Sequence, residues 1–259
     1  MSTYVFSDVH GHRATLDRVL SRVSPSDDDI IVCLGDMIDR GPDPVGTIKV
    51  VRSLPNVRVL MGNHEDLMLA YFDDPNDRIH KSDWMINGGW VTLSDLLELT
   101  ADERNEILTW VAGLPRWDWA RLNGVTYILV HAGLNLRVSA PKEWDDVSLA
   151  SYLNAQDPDD LVWIRDEFWG ARAGLSGRDG TGPIVVAGHT PTPYLARMTR
   201  RLDRNPVGED GLARMVRVGA AADRWDIDAG AAGGAGYGQV LMLRLDDGEE
   251  FYEPVQEGE

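Results

Sequence analysis

The stretch Leu60-Met61-Gly62-Asn63-His64-Glu65 is an apolar run ending in a turn that carries an amide, an imidazole and a carboxylate. Four other runs have the same form, an apolar strand-like segment that leads into glycine and metal-ligand residue types. These runs are Val5-Phe6-Ser7-Asp8-Val9-His10-Gly11, Val32-Cys33-Leu34-Gly35-Asp36-Met37-Ile38-Asp39-Arg40-Gly41, Ile128-Leu129-Val130-His131-Ala132-Gly133 and Val185-Val186-Ala187-Gly188-His189-Thr190. Because functional loops collect at the carboxyl ends of strands in an α/β sheet, the five run ends are predicted to share one site.

The segments around the first three runs predict alternating strands and helices. Strands are predicted at 3–7, 30–34 and 57–61, and helices at 14–23 and 44–53, from their hydrophobic spacing and turn signals. A β-α-β-α-β order implies parallel strands with helices packed on the sheet. The fold class is therefore predicted to be α/β.

The rest of the chain predicts a helical block followed by β structure. Residues 64–113 are interpreted as a helical insertion within a single domain spanning 1–259, and Thr100 to Glu103 has capping-box spacing. Asn123-Gly124 between two alternating segments predicts a hairpin. Residues 137–182 are interpreted as loop-rich. Further strands are predicted near 183–187, 213–218, 224–228, 238–245 and 250–254, which makes the second half mainly antiparallel β.

Composition sets the broad class of protein. A chain of 259 residues with 43% hydrophobic content is long enough to bury a full core as one domain. The only cysteine, Cys33, excludes a disulfide framework and a cysteine-rich metal site, which fits a reducing compartment. No basic segment opens the chain and no apolar run has the length of a bilayer span. We therefore expect a cytoplasmic protein that does not bind membranes.

The formal net charge of −17 bears on the possible partners. It argues against nucleic acid, because phosphate-backbone binding depends on lysine and arginine side chains that release counterions. A phosphorylated substrate would also be repelled at long range. Any anion site must then be made attractive locally, by metal ions or a few aimed arginines.

The residue types at the run ends are those that bind divalent metal ions. Asp8 and His10 are expected on one side of an extended segment, and Asp36 has two oxygens with which to bridge two ions. Mixed oxygen and imidazole ligation favours Mn²⁺, Fe²⁺ or Zn²⁺. Two such ions about 3.5 to 4 Å apart perform in-line displacement at phosphorus, so the pattern predicts phosphoester hydrolysis. The candidate ligands are Asp8, His10, Asp36, Asn63, His131 and His189.

The alternative for each single run is that its polar residues are only turn formers and helix caps. Against this alternative for the set, four of the six histidines fall inside the runs. These are His10, His64, His131 and His189.

Taken in order, the runs resemble the phosphoprotein phosphatase family of dinuclear metallophosphatases, especially its small bacterial and phage-type members, over residues 3–190. The resemblance implies a β-sandwich flanked by helices, with metals at the strand ends and manganese as the usual ion. It places Asp8, His10 and Asp36 on one metal and Asp36, Asn63, His131 and His189 on the other. It also implies direct attack by a hydroxide that bridges the metals. The resemblance also implies that Arg40 would bind the phosphoryl oxygens and that Asp39 would orient His64 to protonate the leaving oxygen.

A second phosphate-binding arginine is usual in the family between the two late histidines. Arg165, directly after the apolar island 161–164, resembles that residue, with a surface arginine as the alternative. Arg172 and Arg178 are weaker candidates. Two departures concern the later runs. In His131-Ala132-Gly133, alanine stands where many relatives have the first glycine of a pair. The last run begins Gly188-His189 but lacks the second histidine of the Gly-His-x-His pattern of the wider superfamily.

Other chemistries fit less well. A cysteine-dependent phosphatase needs an arginine six positions after Cys33, where Asp39 stands. The glycine-rich run 230–236 lacks the Lys-Ser/Thr end of a P-loop and is interpreted as a turn near the site rim. The tryptophans at 84, 90 and 110 are interpreted as core rather than as a substrate-stacking wall.

Three substrate assignments remain open at this point. The first is hydrolysis of phosphoserine or phosphothreonine, and possibly phosphotyrosine, in proteins, together with small phosphoesters. The second is symmetric cleavage of dinucleoside polyphosphates, although the resemblance implies a glutamine in those enzymes where this chain has His10. The third is a catalytically inactive phosphatase scaffold that binds partners. It is disfavoured because every ligand position is filled.

Overall fold

The computed structural model of the protein describes residues 1–176 and 181–259, within which ten strands form two five-stranded sheets. The strands are β1 (Thr3–Phe6), β2 (Ile30–Cys33), β3 (Val57–Val59), β4 (Trp117–Leu122), β5 (Val125–Val130), β6 (Ile184–Ala187), β7 (Val216–Val218), β8 (Arg224–Asp226), β9 (Gln239–Arg244) and β10 (Glu249–Pro254). The first sheet has the order β10-β9-β1-β2-β3 and the second β4-β5-β6-β8-β7. Strands therefore lie close to each position where the sequence predicts one.

Helices connect the strands and cover the outer faces of both sheets. They are α1 (Arg13–Val23), α2 (Pro44–Ser53), α3 (Asn63–Asp73), α4 (Arg78–Ile86), α5 (Trp90–Glu98), α6 (Ala101–Ala112), α7 (Asp146–Asn154), α8 (Pro158–Trp163), α9 (Asp166–Trp169) and α10 (Leu195–Met198). The predicted capping box opens α6, where Thr100 Oγ1 accepts from Glu103 N at 3.3 Å and Glu103 Oε2 accepts from Thr100 N at 2.9 Å. None of the helices in the described ranges is both long and apolar enough to cross a membrane.

The alternation of side chains along the strands produces the layers. In β1, Val5 faces the second sheet while Tyr4 and Phe6 face the helices, since successive side chains point to opposite sides. In β5, Tyr127 and Leu129 face the first sheet in the same way, and their neighbours pack under α7, α8 and α9. Both sheets are thus buried on both faces, and the predicted α/β sandwich flanked by helices is confirmed.

The second half of the chain is mainly antiparallel, as predicted, but it also contains two parallel pairs that were not predicted. β5 and β6 are parallel, and so are β6 and β8, while β4/β5, β7/β8 and β9/β10 are antiparallel. A parallel pair needs a long crossover, which the three helices α7, α8 and α9 provide between β5 and β6. The prediction of a loop-rich segment at 137–182 was therefore wrong for the part that forms α7, α8 and α9.

Side-chain caps explain why the first two of those short helices, α7 and α8, form. Asp145 accepts from Ser148 N at 2.8 Å before α7, and Asp157 accepts from Asp159 N at 3.0 Å before α8, which has Pro158 in its first turn. The hydrophobic pattern of the segment is too short to show a helical period. The caps are therefore the stronger signal there.

The two sheets place several strand ends along one edge of the sandwich. β1, β2 and β3 run parallel, and so do β5, β6 and β8. Helix α3 begins directly after β3, and the turns after the other five strands reach the same edge. This edge is where the candidate ligands predicted from the sequence lie.

Candidate metal centre

The predicted ligand residues follow successive strands and converge on one cavity of about 540 Å³. The cavity is lined by His10, Asp36, Asn63, His64 and His189, together with Arg40, Arg165 and residues of the segment between β8 and β9. Asp8 and His131 lie directly behind this lining, 2% and 0% exposed. The structure therefore brings together all six residues that the sequence singled out as metal ligands.

The backbone at these strand ends is strained. Among the described residues, ten non-glycine residues have positive φ, and six of them belong to the predicted site. Those six are Asp8, His10, Asp36, Asp39, Arg40 and His189. The expectation that Asp8 and His10 extend from one side of a strand was wrong, because φ is 54° and 47° there. Left-handed conformations of this kind concentrate at functional sites, where the surrounding structure fixes them.

Asp36 is the centre of the cluster. Its Oδ2 lies 3.4 Å from His131 Nε2, 3.6 Å from His10 Nε2 and 3.9 Å from His64 Nε2. Its Oδ1 accepts a hydrogen bond from the backbone N of His64 at 3.0 Å. One carboxylate thus faces three imidazoles that come from different strand ends. Two groups with the geometry to hold an ion share it, His10-Asp36-His64 and Asp36-His131-His189.

Asn63 lies between the two late histidines. Its Oδ1 is 3.0 Å from His131 Nε2 and 2.8 Å from His189 Nδ1. Asp8 has a different position, since its carboxylate accepts from the backbone N of His189 at 3.0 and 3.1 Å and lies 4.0 Å from His10 Nε2. Asp8 therefore also holds the backbone of the β6 end in place.

The protonation pattern of the histidines tests whether a cation fits here. His10 Nδ1 lies 3.0 Å from Ile38 O, and His131 Nδ1 lies 3.0 Å from Leu34 O, so each Nδ1 must donate to its carbonyl. In a neutral ring the Nε2 lone pair then faces Asp36 Oδ2. Burial would lower the pKa of His131, but the Asp36 charge outweighs burial and raises that pKa to about 9, so His131 favours a cation at Nε2, whether a proton or a metal ion. A cation removes this clash of acceptors, and ligand histidines commonly donate their other ring N–H to a backbone carbonyl. The residues present therefore fit a divalent metal ion.

A further polar atom at this site supports the same fit. His189 Nε2 is buried without a hydrogen-bond partner among the described residues. Burial, reinforced by nearby His131 and Arg165, lowers the pKa of His189 well below its usual value. Burial, with His64 nearby, does the same to the pKa of His10. Both rings are therefore favoured as neutral imidazoles, the form that binds metals.

Asp36 is kept ionised despite its position. Burial alone would raise the pKa of its carboxyl group, but the charges of His131 and His64 outweigh burial and hold that pKa well below its usual value. An ionised carboxylate with free lone pairs is the form that bridges two cations.

Beside the ligand cluster, the His64 ring lies between the side chains of Asp39 and Arg40. His64 Nδ1 lies 2.6 Å from Asp39 Oδ2, and His64 Nε2 lies 3.3 Å from Arg40 Nη2. Asp39 and His64 are 0% and 2% exposed, whereas Arg40 is exposed to the cavity. One nitrogen of the His64 ring thus lies against a buried carboxylate. The other faces Arg40 and Asp36 at the cavity.

The candidate arginines of the late loops separate clearly. Arg165, which precedes α9, lines the same cavity as Arg40. Within the described ranges Arg172 is not part of that lining, and Arg178 lies outside the described residues. Ala232 and Gly233 from the glycine-rich run do line it, where the sequence predicted a turn near the site rim.

Sequence reasoning missed Asp228 as a member of the site. It is 3% exposed, lines the cavity, and accepts from Gly230 N at 2.8 Å. Burial and the neighbouring Asp8 carboxylate raise its pKa well above the usual value. The signal was present, because Asp228 follows β8, which runs parallel to β6 and ends at the same edge.

The three tryptophans turn out to differ. Trp84 is fully buried, as the core interpretation predicted, but its indole N–H contacts Asp39. Trp110 is partly buried against the hydrophobic core, with the Arg52 guanidinium 5.2 Å from its ring centre. Trp90 is 65% exposed, so the core interpretation was wrong for it.

Glu65 has a larger role than capping a helix. Its carboxylate is 0% exposed and accepts from Asp36 N and Met37 N, both at 2.8 Å, and from Gly62 N at 3.1 Å. It thereby ties the turn after β2 to the start of α3. The two turns that carry Asp36 and His64 are held together by this one side chain.

Glu65→Gln is therefore expected to destabilise the protein. The amide NH₂ of glutamine would face backbone N–H donors, and leaving one buried donor unpaired costs about 1–3 kcal/mol. Urea unfolding in the presence of a chelator measures this without a contribution from bound metal. Glu106→Gln, at a side chain 67% exposed on α6, is the matched control and should change stability by less than about 0.5 kcal/mol. Equal stabilities of the two variants would contradict the assigned role.

A larger groove of about 730 Å³ lies along β3 and β4, lined by residues such as Arg52, Trp110 and Trp117. It contains none of the ligand residues described above. Size alone would favour this groove, but the convergent titratable groups place the site in the smaller cavity.

Comparisons with known proteins agree with this geometry. Residues 1–222 match the family model described as calcineurin-like phosphoesterase. The symmetrical bis(5'-nucleosyl)-tetraphosphatase of Pectobacterium atrosepticum is 34% identical over 132 residues, 46% of this chain and 46% of that protein. The chain thus spans about half the length of that relative. Serine/threonine-protein phosphatase 1 of Salmonella typhimurium is 28% identical over 206 residues, 77% of this chain and 81% of that protein.

Among solved structures, a metallophosphoesterase from Sphaerobacter thermophilus has a TM-score of 0.54 at 20% identity, covering 99% of this chain and 89% of that chain. At this identity the likeness concerns the fold. The family model, in contrast, covers most of the chain and every ligand residue described above. The chain therefore belongs to the calcineurin-like phosphoesterase family, whose members use divalent metal ions.

Proposed function

We propose that this chain is a metal-dependent phosphomonoesterase that acts on proteins phosphorylated at serine or threonine, and also on phosphotyrosine and small aryl phosphates. The carrying observation is the position of His64, with Nδ1 2.6 Å from Asp39 and Nε2 at the floor of the cavity, 3.9 Å from Asp36. A proton donor held beside a cation-binding cluster suits an ester whose leaving oxygen is poor.

In this proposal, Asp8, His10 and Asp36 hold one divalent ion, and Asp36, Asn63, His131 and His189 hold a second. When bound, such a pair lowers the pKa of a water nucleophile and neutralises charge on the phosphoryl oxygens. The mixture of carboxylate, amide and imidazole ligands favours Mn²⁺, with Fe²⁺ or Zn²⁺ as alternatives.

Arg40 and Arg165 are assigned to the phosphoryl oxygens. Both guanidinium groups line the cavity, and a planar guanidinium binds two oxygens of a phosphoryl group at once. The net charge of −17 makes this local positive charge necessary, because the chain as a whole repels anions.

His64 is assigned as the general acid. Burial alone would lower the pKa of its imidazole, but the Asp36 charge and the Asp39 hydrogen bond outweigh burial and raise that pKa above the usual value. The raised pKa favours the protonated ring, in which Nδ1 donates to Asp39 and Nε2 carries the proton available to the substrate. Transfer of that proton to the departing oxygen gives an alcohol rather than an alkoxide.

Symmetric hydrolysis of dinucleoside polyphosphates is the second candidate. It is favoured by the name of the Pectobacterium relative and by Tyr194 and Tyr237, which line the cavity and have rings suitable for stacking on a base. It gains less from the His64 donor, because a polyphosphate oxygen leaves more readily than an alkoxide. His10, where the resemblance implies glutamine in such enzymes, also favours the first candidate.

The test is a panel assay of chelator-stripped protein reconstituted with Mn²⁺, Fe²⁺ or Zn²⁺. Substrates are phosphoserine, phosphothreonine and phosphotyrosine peptides, p-nitrophenyl phosphate and diadenosine tetraphosphate. We expect metal-dependent turnover with the highest kcat/KM on the phosphopeptides. A clear preference for diadenosine tetraphosphate would replace the first candidate with the second. No metal-dependent turnover on any substrate would support a catalytically inactive scaffold.

A further inference from the structure

Helices α4 and α5, with the segment 87–89 between them, enclose the carboxylate of Asp39. Trp84 Nε1 donates to Asp39 Oδ2 at 2.9 Å and lies 3.2 Å from Oδ1. Thr92 Oγ1 donates to Oδ1 at 2.5 Å and accepts from the backbone N of Asp39 at 2.9 Å. Together with His64, three side chains from α3, α4 and α5 therefore satisfy both oxygens of this carboxylate.

Because Asp39 is buried, its carboxylate depends on these donors for its hydrogen bonds. Asp39, Trp84 and Thr92 are each 0% exposed, so bulk solvent does not contact this carboxylate. A buried carboxylate that loses a donor rotates toward another or admits water, because an unpaired charge is costly in a poorly solvated interior. Either response changes the direction in which Asp39 holds the His64 ring.

Two glycines allow the segment to come this close. Gly88 has φ of +101°, and a Cβ there would lie 2.9 Å from Arg40 Cγ, while Gly88 O accepts from Arg40 N at 3.3 Å. A Cβ on Gly89 would lie 2.4 Å from Trp84 Nε1. Larger residues would push the segment away from both the indole and the Arg40 backbone. The spacing Trp84, Gly88-Gly89, Thr92 is thus complementary to the Asp39-Arg40 turn.

We propose that Trp84 and Thr92 are positioning residues for the acid step, through which the helical block α3–α6 controls the orientation of His64. They fix the Asp39 carboxylate, which fixes the imidazole, which directs the Nε2 proton toward the leaving oxygen. This inference rests on the proposed function of His64 as the acid. It predicts that the loss of either donor harms the reaction in proportion to how much the leaving group needs a proton.

The test uses Trp84→Phe, which keeps a buried aromatic ring without its N–H, and Thr92→Val, which removes the hydroxyl at nearly constant shape. For each variant, kcat and KM are measured on a phosphoserine peptide and on p-nitrophenyl phosphate with the metal-loaded full chain. We expect kcat on the peptide to fall about tenfold, part of the 10²–10⁴-fold that a placed acid contributes, with KM unchanged. The loss on the aryl ester should be less than about threefold.

Matched controls separate positioning from general damage. Trp110→Phe removes an indole from the same helical block without touching Asp39, and Ser94→Ala removes an exposed hydroxyl from α5. Both should keep wild-type kinetics. Thr92→Ser restores the hydroxyl and should recover the peptide rate. If Trp84→Phe fails to fold, the Thr92→Val and Thr92→Ser pair carries the test.

A second readout does not depend on turnover. In the Zn²⁺-loaded chain, the proton between His64 Nδ1 and Asp39 should give a low-field ¹H resonance, assigned by its loss in His64→Asn. Trp84→Phe and Thr92→Val should shift or broaden it, and the controls should not. An unmoved resonance, or equal rate losses on both esters, would overturn the inference. If the wild type hydrolyses no ester, the proposed function fails while the resonance still decides whether these residues position His64.

Discussion

Asp36→Asn is expected to remove metal binding and activity together while leaving the fold intact. The substitution keeps the Oδ1 acceptor for the backbone N of His64, so the turn after β2 retains its hydrogen bond. It replaces the oxygen that faces His131, His10 and His64 at 3.4 to 3.9 Å with a neutral amide nitrogen. The side chain at position 36 would then carry no charge and would direct an N–H donor at the imidazole lone pairs. It would therefore no longer bind two cations.

The size of the effect follows from the number of partners lost. Residues that only orient a ligand change metal affinity by about 10–100-fold, so loss of the shared ligand itself should exceed about 100-fold. Metal content after dialysis and calorimetric titration with Mn²⁺ measure it. Asp66→Asn, at a partly exposed carboxylate that pairs with Arg116, makes the same charge change outside the site and should bind metal normally. Normal stoichiometry in Asp36→Asn would exclude Asp36 as the bridge.

The convergence of the candidate ligands could be predicted from sequence because each of them closely follows an apolar run. Val5-Phe6 leads to Asp8, and Val185-Val186-Ala187 leads to His189, so local sequence reports both the strand and what stands at its end. Parallel strands then bring these ends to one edge without further information. The conformation of the ends could not be predicted. Positive φ at Asp8 and His10 is imposed by hydrogen bonds such as His10 N to Asp36 O at 2.9 Å, which join distant segments.

The supporting residues were harder to predict, because their roles depend on contacts between distant parts of the chain. Trp84 and Asp39 are 45 positions apart, and Thr92 and Asp39 are 53 apart. A tryptophan in an amphipathic segment reads as core, which is true of Trp84, yet only the fold shows that its N–H lies against a carboxylate. Glu65 is adjacent to His64 in sequence, but the donors that it accepts from include Asp36 N, supplied by another strand end.

The difference between local signals and long-range contacts also explains which parts of the fold could be predicted. Strands were predicted because an apolar run or an alternating segment ends in a recognisable turn, as in the Asn123-Gly124 hairpin, where φ is 52° and 80°. Helices α7, α8 and α9 were not, since they span only nine, six and four residues and their hydrophobic pattern shows no clear helical period. Because these helices were not predicted, the sequence indicated no helical crossover between β5 and β6. Parallel pairing of the two strands was therefore not expected.

His64→Asn is expected to show the largest dependence on the leaving group. The amide side chain can still donate to Asp39, but no atom takes the place of Nε2 at the cavity floor. On a phosphoserine peptide we expect kcat to fall about 10²–10⁴-fold, because an alkoxide must be protonated as it departs. On p-nitrophenyl phosphate, whose leaving group is stable as an anion, the loss should be less than about tenfold.

The comparison of the two esters is the decisive measurement, since misfolding or loss of metal would reduce both rates alike. Metal content is measured in parallel, because His64 Nε2 lies 3.9 Å from Asp36 Oδ2 and belongs to one of the two groups with ion-holding geometry. If His64 were a metal ligand, the variant would lose metal and both rates would fall together. His80→Asn, at a histidine on α4 that does not line the cavity, should leave both rates unchanged. Retained metal with a selective loss on the peptide is the outcome that assigns His64 to the leaving group.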